Sequence, residues 1–97
     1  MASAAITVGT TVATIETDSS EAVITKGFPE MVGDLINGGS VETWVKINGT
    51  TVAGTNAQVL GEVGLPPGAN LPILKHYSTI AHKTASAAGV LYWIPRG

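Results

Sequence analysis

A chain of 97 residues is enough for one domain, taken as 1–97, and the absence of cysteine excludes disulfides and thiolate metal centres. A net charge of −2, with only 12% of residues charged, leaves no basic footprint for nucleic acid. So thin a supply of charge fits either a surface partly spent on protein contacts or a Thr- and Ser-rich β surface solvated by hydroxyls.

The chain opens on "MASAAITVG", which has neither the basic start nor the long apolar run of a signal peptide or membrane helix. The expectation is synthesis in a cytoplasm and no membrane association. Residues 1–5 read as an anchoring N-terminal arm, with Met1, Ala2 and Ile6 as candidate contact residues. "ITVGTTVATIET" alternates, so Ile6, Val8, Val12 and Thr14 are expected on one face, with Gly9 a bulge or bend. "DSSE" is a turn cluster; Ser19 and Ser20 lack the flanking glycine elbow of a nucleophile and read as turn or cap residues. "EAVITKG" is a short strand, and Pro29 keeps "FPEM" out of any strand interior. "MVGDLI" resumes extended structure until "NGG" at 37–39, a turn tolerant of positive φ.

The clearest half-buried strand is "SVETWVKI", with Val41, Thr43, Val45 and Ile47 on one side and Glu42, Trp44 and Lys46 on the other. Trp44 therefore faces either a second layer or a partner, the latter as an interface anchor. "NGT" at 48–50 matches a glycosylation sequon but is already explained as a tight turn, and "TVAG" is a short extended piece. "NAQVLGEVG" is ambiguous, since Gly61 and Gly64 keep any helix short. In "GLPPGANLPIL", Pro66 or Pro67 presets φ for a turn closed by Gly68, and Pro72 fits only an edge strand or the first residue of a strand. "LPILKHYSTIAHK" is extended, and "TASAAG" is a loop, or a frayed helical turn over 83–89. In the closing "VLYWIPRG", alternation puts Leu91 and Trp93 on one face and Tyr92 and Ile94 on the other. Trp93, Ile94, Pro95 and Arg96 are either core or interface, and Arg96 is placed either to snorkel or to pair with a partner carboxylate.

Thr, Val and Ile dominate and glycines punctuate the chain at turn spacing, so the predicted fold is all-β. Seven or eight short strands predict an antiparallel β-sandwich or small barrel, jelly-roll or Ig-like. No motif spells out a chemistry. His76 and His82 fall on one strand face and, with Glu62, reach the count for a three-ligand metal site, but they read better as polar, half-exposed side chains. Five glutamates and two aspartates are dispersed, with no acid–base pair. Neither catalysis nor a cofactor is expected.

The order of these segments resembles a known family. "VETWVKING" ends in a turn, "LPPGANLPI" comes next, and "YSTIAHKTASAAGVLYWI" closes the chain. Leu65-Pro66-Pro67-Gly68-Ala69-Asn70-Leu71-Pro72-Ile73 meets the pattern L-x-P-G-x-x-L-x-I, with an extra proline at Pro72. Over residues 31–97 the chain resembles the small β-sandwich accessory proteins of tailed-bacteriophage virions, especially head decoration (cement) proteins; the first thirty residues agree only in style. The resemblance implies a non-enzymatic protein of the capsid surface, made in the host bacterial cytoplasm. It would act as a dimer or trimer that binds the major capsid protein lattice and stabilises the head. Related modules in tail fibres and tail tips keep a second reading open: a receptor- or carbohydrate-binding module with an aromatic platform of Trp44 and Tyr77. The family fixes no motif for capsid contact, so the contact candidates rest on this sequence alone.

Overall fold

A computed structural model describes residues 6–27, 32–48, 62–74, 79–85 and 87–96. Among them are nine strands and no helix: β1 (Ile6–Val8), β2 (Ala13–Thr17), β3 (Ala22–Lys26), β4 (Val32–Asn37), β5 (Thr43–Ile47), β6 (Glu62–Leu65), β7 (Asn70–Ile73), β8 (Thr79–Thr84) and β9 (Gly89–Arg96). They form a five-stranded sheet, ordered β1-β3-β8-β5-β6, and a four-stranded sheet, ordered β2-β9-β4-β7. The fold is all-β, a small two-sheet sandwich. Pairing is antiparallel except at β1–β3, which runs parallel, a departure from the all-antiparallel expectation.

The parallel pair arises where the chain changes sheets. The sequence "ITVGTTVATIET" reads as one alternating run, but Gly9–Val12 carries the chain from β1 in one sheet to β2 in the other. The crossover resets the phase of alternation. Ile15 and Thr17 point inward, while Val12 is 63% exposed and Thr14 lies on the outer face, so the expected placing of Val12 and Thr14 with Ile6 and Val8 is corrected. At the opposite edge of the sandwich the 66–69 link joins β6 of the five-stranded sheet to β7 of the four-stranded sheet. Both of these links join an edge strand of one sheet to an edge strand of the other.

The proline segment builds the 66–69 link. The Ala69 amide donates to the Pro66 carbonyl at 3.0 Å, and Gly68 has φ +84°. Pro67 and Gly68 are then the central residues of a type II turn, in which proline sets the first φ and glycine accepts the positive second one. Pro72 falls in β7, an edge strand, where a residue without an amide hydrogen is tolerated.

The inner faces interleave Val8, Ile24, Val45, Ile80 and Leu65 of one sheet with Ile15, Leu35, Leu91, Trp93 and Ile73 of the other. Trp93 is the largest of these and is completely enclosed. It fits because Gly33 is opposite: a Cβ there would lie 2.6 Å from the indole and 2.7 Å from the Ile94 carbonyl oxygen. In β5 the expected alternation holds, with Thr43 and Val45 buried and Glu42 exposed. Residues 83–89 form the end of β8, a connection and the start of β9, with no helical turn among the described residues. "NGG" does not use positive φ; among described non-glycine residues only Asn48 does, at φ 59°. The "FPEM" and "TVAG" segments lie outside the described residues.

Candidate functional site

Strand register divides each sheet into an inner and an outer face, because paired residues point the same way. On the four-stranded sheet, Ile36 pairs with Tyr92, Asp34 with Ile94, and Val32 with Arg96. On the flanking strands, Thr14 pairs with Tyr92, Glu16 with Val90, and Asp34 with Pro72. None of these faces the core. Val90, Tyr92, Ile94, Ile36, Val32 and Pro72 therefore form an apolar surface across three strands, with Tyr92 37% exposed. Gly38 lies under the Tyr92 ring, where a Cβ would come within 2.0 Å of it.

One ion pair interrupts this surface. Arg96 Nε binds Asp34 Oδ2, with the carboxylate almost wholly buried and the guanidinium largely exposed. The sequence left Arg96 either to snorkel or to pair with a partner's carboxylate; it takes a carboxylate from its own chain. The other carboxylate oxygen, Asp34 Oδ1, is buried with no hydrogen-bond partner. The signal for Asp34 is present in "MVGDLI", a carboxylate inside an apolar strand, but nothing in the order of residues ties it to Arg96.

The remaining contact candidates separate. Trp93 belongs to the core, and its Nε1 donates to the Gly9 carbonyl at 2.8 Å, so its side chain offers no outer contact. Ile6 is half-buried and packs against the core cluster. Ile94 lies on the outer face. Pro95 falls beyond the β2–β9 ladder, which ends at Ala13–Trp93, where among the described residues β9 pairs with β4 alone. Trp44 is half-buried on the outer face of the other sheet, in register with Gly64 and Lys83, and its indole N–H is enclosed with no hydrogen-bond partner. Met1 and Ala2, the 1–5 arm, His76 and Tyr77 lie outside the described residues.

His82 and Glu62 do not come together. His82 pairs in register with Val45, an inward residue, whereas Glu62 pairs with Lys46, which points outward. The two side chains sit on opposite faces of the five-stranded sheet, so the grouping of His76, His82 and Glu62 as metal ligands fails at this pair. No cluster of three His, Cys, Asp or Glu side chains able to hold a metal occurs among the described residues. His82 is fully enclosed; its Nδ1 lies 2.9 Å from Thr17 Oγ1 on the opposing sheet, and its Nε2 has no partner. Burial lowers its pKa from 6.5 to about 4, against the opposing pull of the Asp18 charge. The ring is neutral at pH 7 and walled off from any substrate.

Asn37 is the polar residue that sequence reading missed. Its Nδ2 donates to Val41 O at 2.8 Å and to Leu65 O at 2.7 Å, and its Oδ1 accepts from Gly39 N at 3.0 Å. Its backbone accepts from Gly68 N at 2.8 Å and donates to Ala69 O at 2.9 Å. The segment read as a turn tolerant of positive φ begins with a buried amide that fastens β4 to β6 and to the proline link.

Fold and surface together define a small β-sandwich with one apolar outer sheet face. No protein-family model and no curated protein matches the chain. Among the described residues, no helix is long and apolar enough to cross a membrane.

Proposed function

We propose that the chain is a structural protein of a tailed-bacteriophage virion that binds the outer surface of the major capsid protein lattice and stabilises the head. It is non-enzymatic and oligomeric, made in the bacterial cytoplasm and carried on the capsid. The supporting observation is the outer face formed by Ile36, Tyr92, Ile94 and Pro72, a neutralised apolar surface on a rigid sheet that the monomer's own core does not use. The order of segments from "VETWVKING" to "VLYWI" supplies the capsid as the partner.

Co-sedimentation with tailed-phage capsids assembled from the major capsid protein of the same source tests the reading. The wild type is expected in the capsid pellet. Tyr92→Asp combined with Ile94→Asp is expected to leave it in the supernatant with its thermal transition intact. A wild type that ignores matching capsids refutes the proposal.

A second reading, a receptor- or carbohydrate-binding module of a tail fibre or tail tip, draws support from half-exposed Trp44 on the opposite sheet. A blank glycan array, or Trp44→Ala binding glycans as the wild type does, removes it.

A further inference from the structure

The four-stranded sheet has two edges, and they are not alike. At one edge β7 carries Pro72, whose ring removes an amide hydrogen from the strand. At the other edge β2, residues Ala13–Thr17, has five residues, no proline and a single charge. Among the described residues, no backbone hydrogen bond beyond the ladder to β9 involves Ala13–Thr17. Among the described residues, the five-stranded sheet offers nothing comparable: its β1 spans three residues, and Glu62 and Gly64 of its edge strand β6 already have partners.

We propose that β2 is a dimerisation edge, and that its partner is β2 of a second copy of this chain, paired antiparallel about Ile15. The sequence of the strand is self-complementary in that register. The outer-face pairs are Thr14 with Glu16 of the partner copy, twice by symmetry, so each carboxylate meets a hydroxyl and no like charges are opposed. On the inner face small Ala13 meets Thr17, and the two isoleucines meet at the axis. Val12, the most exposed of the described large apolar residues, directly precedes this edge and loses water contact on pairing. Pro72 at the far edge explains why the partner is one copy and not a growing row. Addition at β2 is isologous, and the composite eight-stranded sheet then ends on both sides in a proline-bearing strand. Pairing also joins the two apolar outer faces into one, because Thr14 and Glu16 are in register with Tyr92 and Val90.

Sedimentation velocity on the purified full chain, without capsids, tests this independently of the capsid reading. The wild type is expected as a dimer. Both outer positions are exposed, so changes there leave the core intact, which circular dichroism checks. Thr14→Lys with Glu16→Lys opposes two lysine pairs across the axis, and Thr14→Glu opposes carboxylates. Each variant is expected to weaken the dimer by about tenfold or more. Mixing the two variants restores dimers, each holding one copy of either kind. A wild type that is monomeric throughout a concentration series overturns the proposal. So does a folded double-lysine variant that dimerises as tightly as the wild type, or a mixture that remains monomeric.

Discussion

Acid should loosen this sandwich from within, at His82. The imidazole is enclosed between the sheets, bonded through Nδ1 to Thr17 and unpartnered at Nε2, so a second proton has no acceptor waiting for it. Its pKa is 6.5 in an ordinary setting and about 4 in the fold. Between those values the unfolded chain binds a proton that the folded chain refuses, so stability falls as pH falls. The loss begins near pH 6.5, proceeds at no more than about 1.4 kcal/mol per pH unit, and is complete below about pH 4. Over that window it amounts to roughly 3 kcal/mol, a large share of the roughly 5–15 kcal/mol that holds a typical domain together.

Urea unfolding at a series of pH values, compared between wild type and His82→Gln, isolates this contribution, because glutamine does not titrate. His76→Gln serves as the control for the other histidine. The stability difference between wild type and His82→Gln is expected to move by roughly 3 kcal/mol in favour of the variant from pH 7 to pH 4. In NMR the His82 ring signals should stay in their neutral positions down to about pH 5. Parallel stability curves for the two proteins, or a ring titrating near 6.5, would refute the reasoning.

The packing carries three further expected outcomes. Asn37→Ala strands the carbonyls of Val41 and Leu65 and is expected to cost about 3 kcal/mol in chemical denaturation; a loss below about 1 kcal/mol would contradict its role as the tie between sheets. Gly33→Ala drives a methyl into Trp93 and a backbone carbonyl and should cost about 1–3 kcal/mol, whereas Gly38→Ala meets only the movable Tyr92 ring and should cost less; thermal melts that reverse this order would refute the geometry. Gly68→Ala has open space around its Cβ, so its expected cost of about 1 kcal/mol is backbone strain alone, and an unchanged melting temperature would count against the type II turn.

Much of the architecture was legible because alternation is local. The inward sets Thr43 and Val45, and Leu91 and Trp93, come from a period of two within a strand. The proline turn and the edge position of Pro72 were legible for the same reason: a missing amide hydrogen and a positive φ are properties of single residues. Alternation failed at Gly9–Val12, where the chain changes sheets and nothing local marks the jump. The polar interior was hidden more deeply. Asn37, His82 and Asp34 owe their roles to Leu65, Thr17 and Arg96, residues distant in the chain. The residue types alone left a grouping of His82 with Glu62 conceivable, and pairing register separates them.

The buried polar bonds occupy particular places in the sandwich. At the β1–β2 crossover, Trp93 of the four-stranded sheet donates to Gly9. At the β6–β7 crossover, Asn37 of the same sheet donates to Leu65 and its backbone holds Gly68. A third bond across the sheets runs from His82 to Thr17. Apolar contact between sheets is non-directional and would tolerate sliding, whereas a hydrogen bond at each seam fixes the position of one sheet on the other. The outer face that carries Tyr92 and Ile94 is thereby held by the same strands, β9 and β4, that anchor the seams. A face so supported is ordered before any partner arrives, so little conformational entropy is lost on docking. Surface and core are coupled here through strand alternation: Trp93 fastens the inside of β9 while Tyr92 and Ile94, its neighbours in sequence, present the outside.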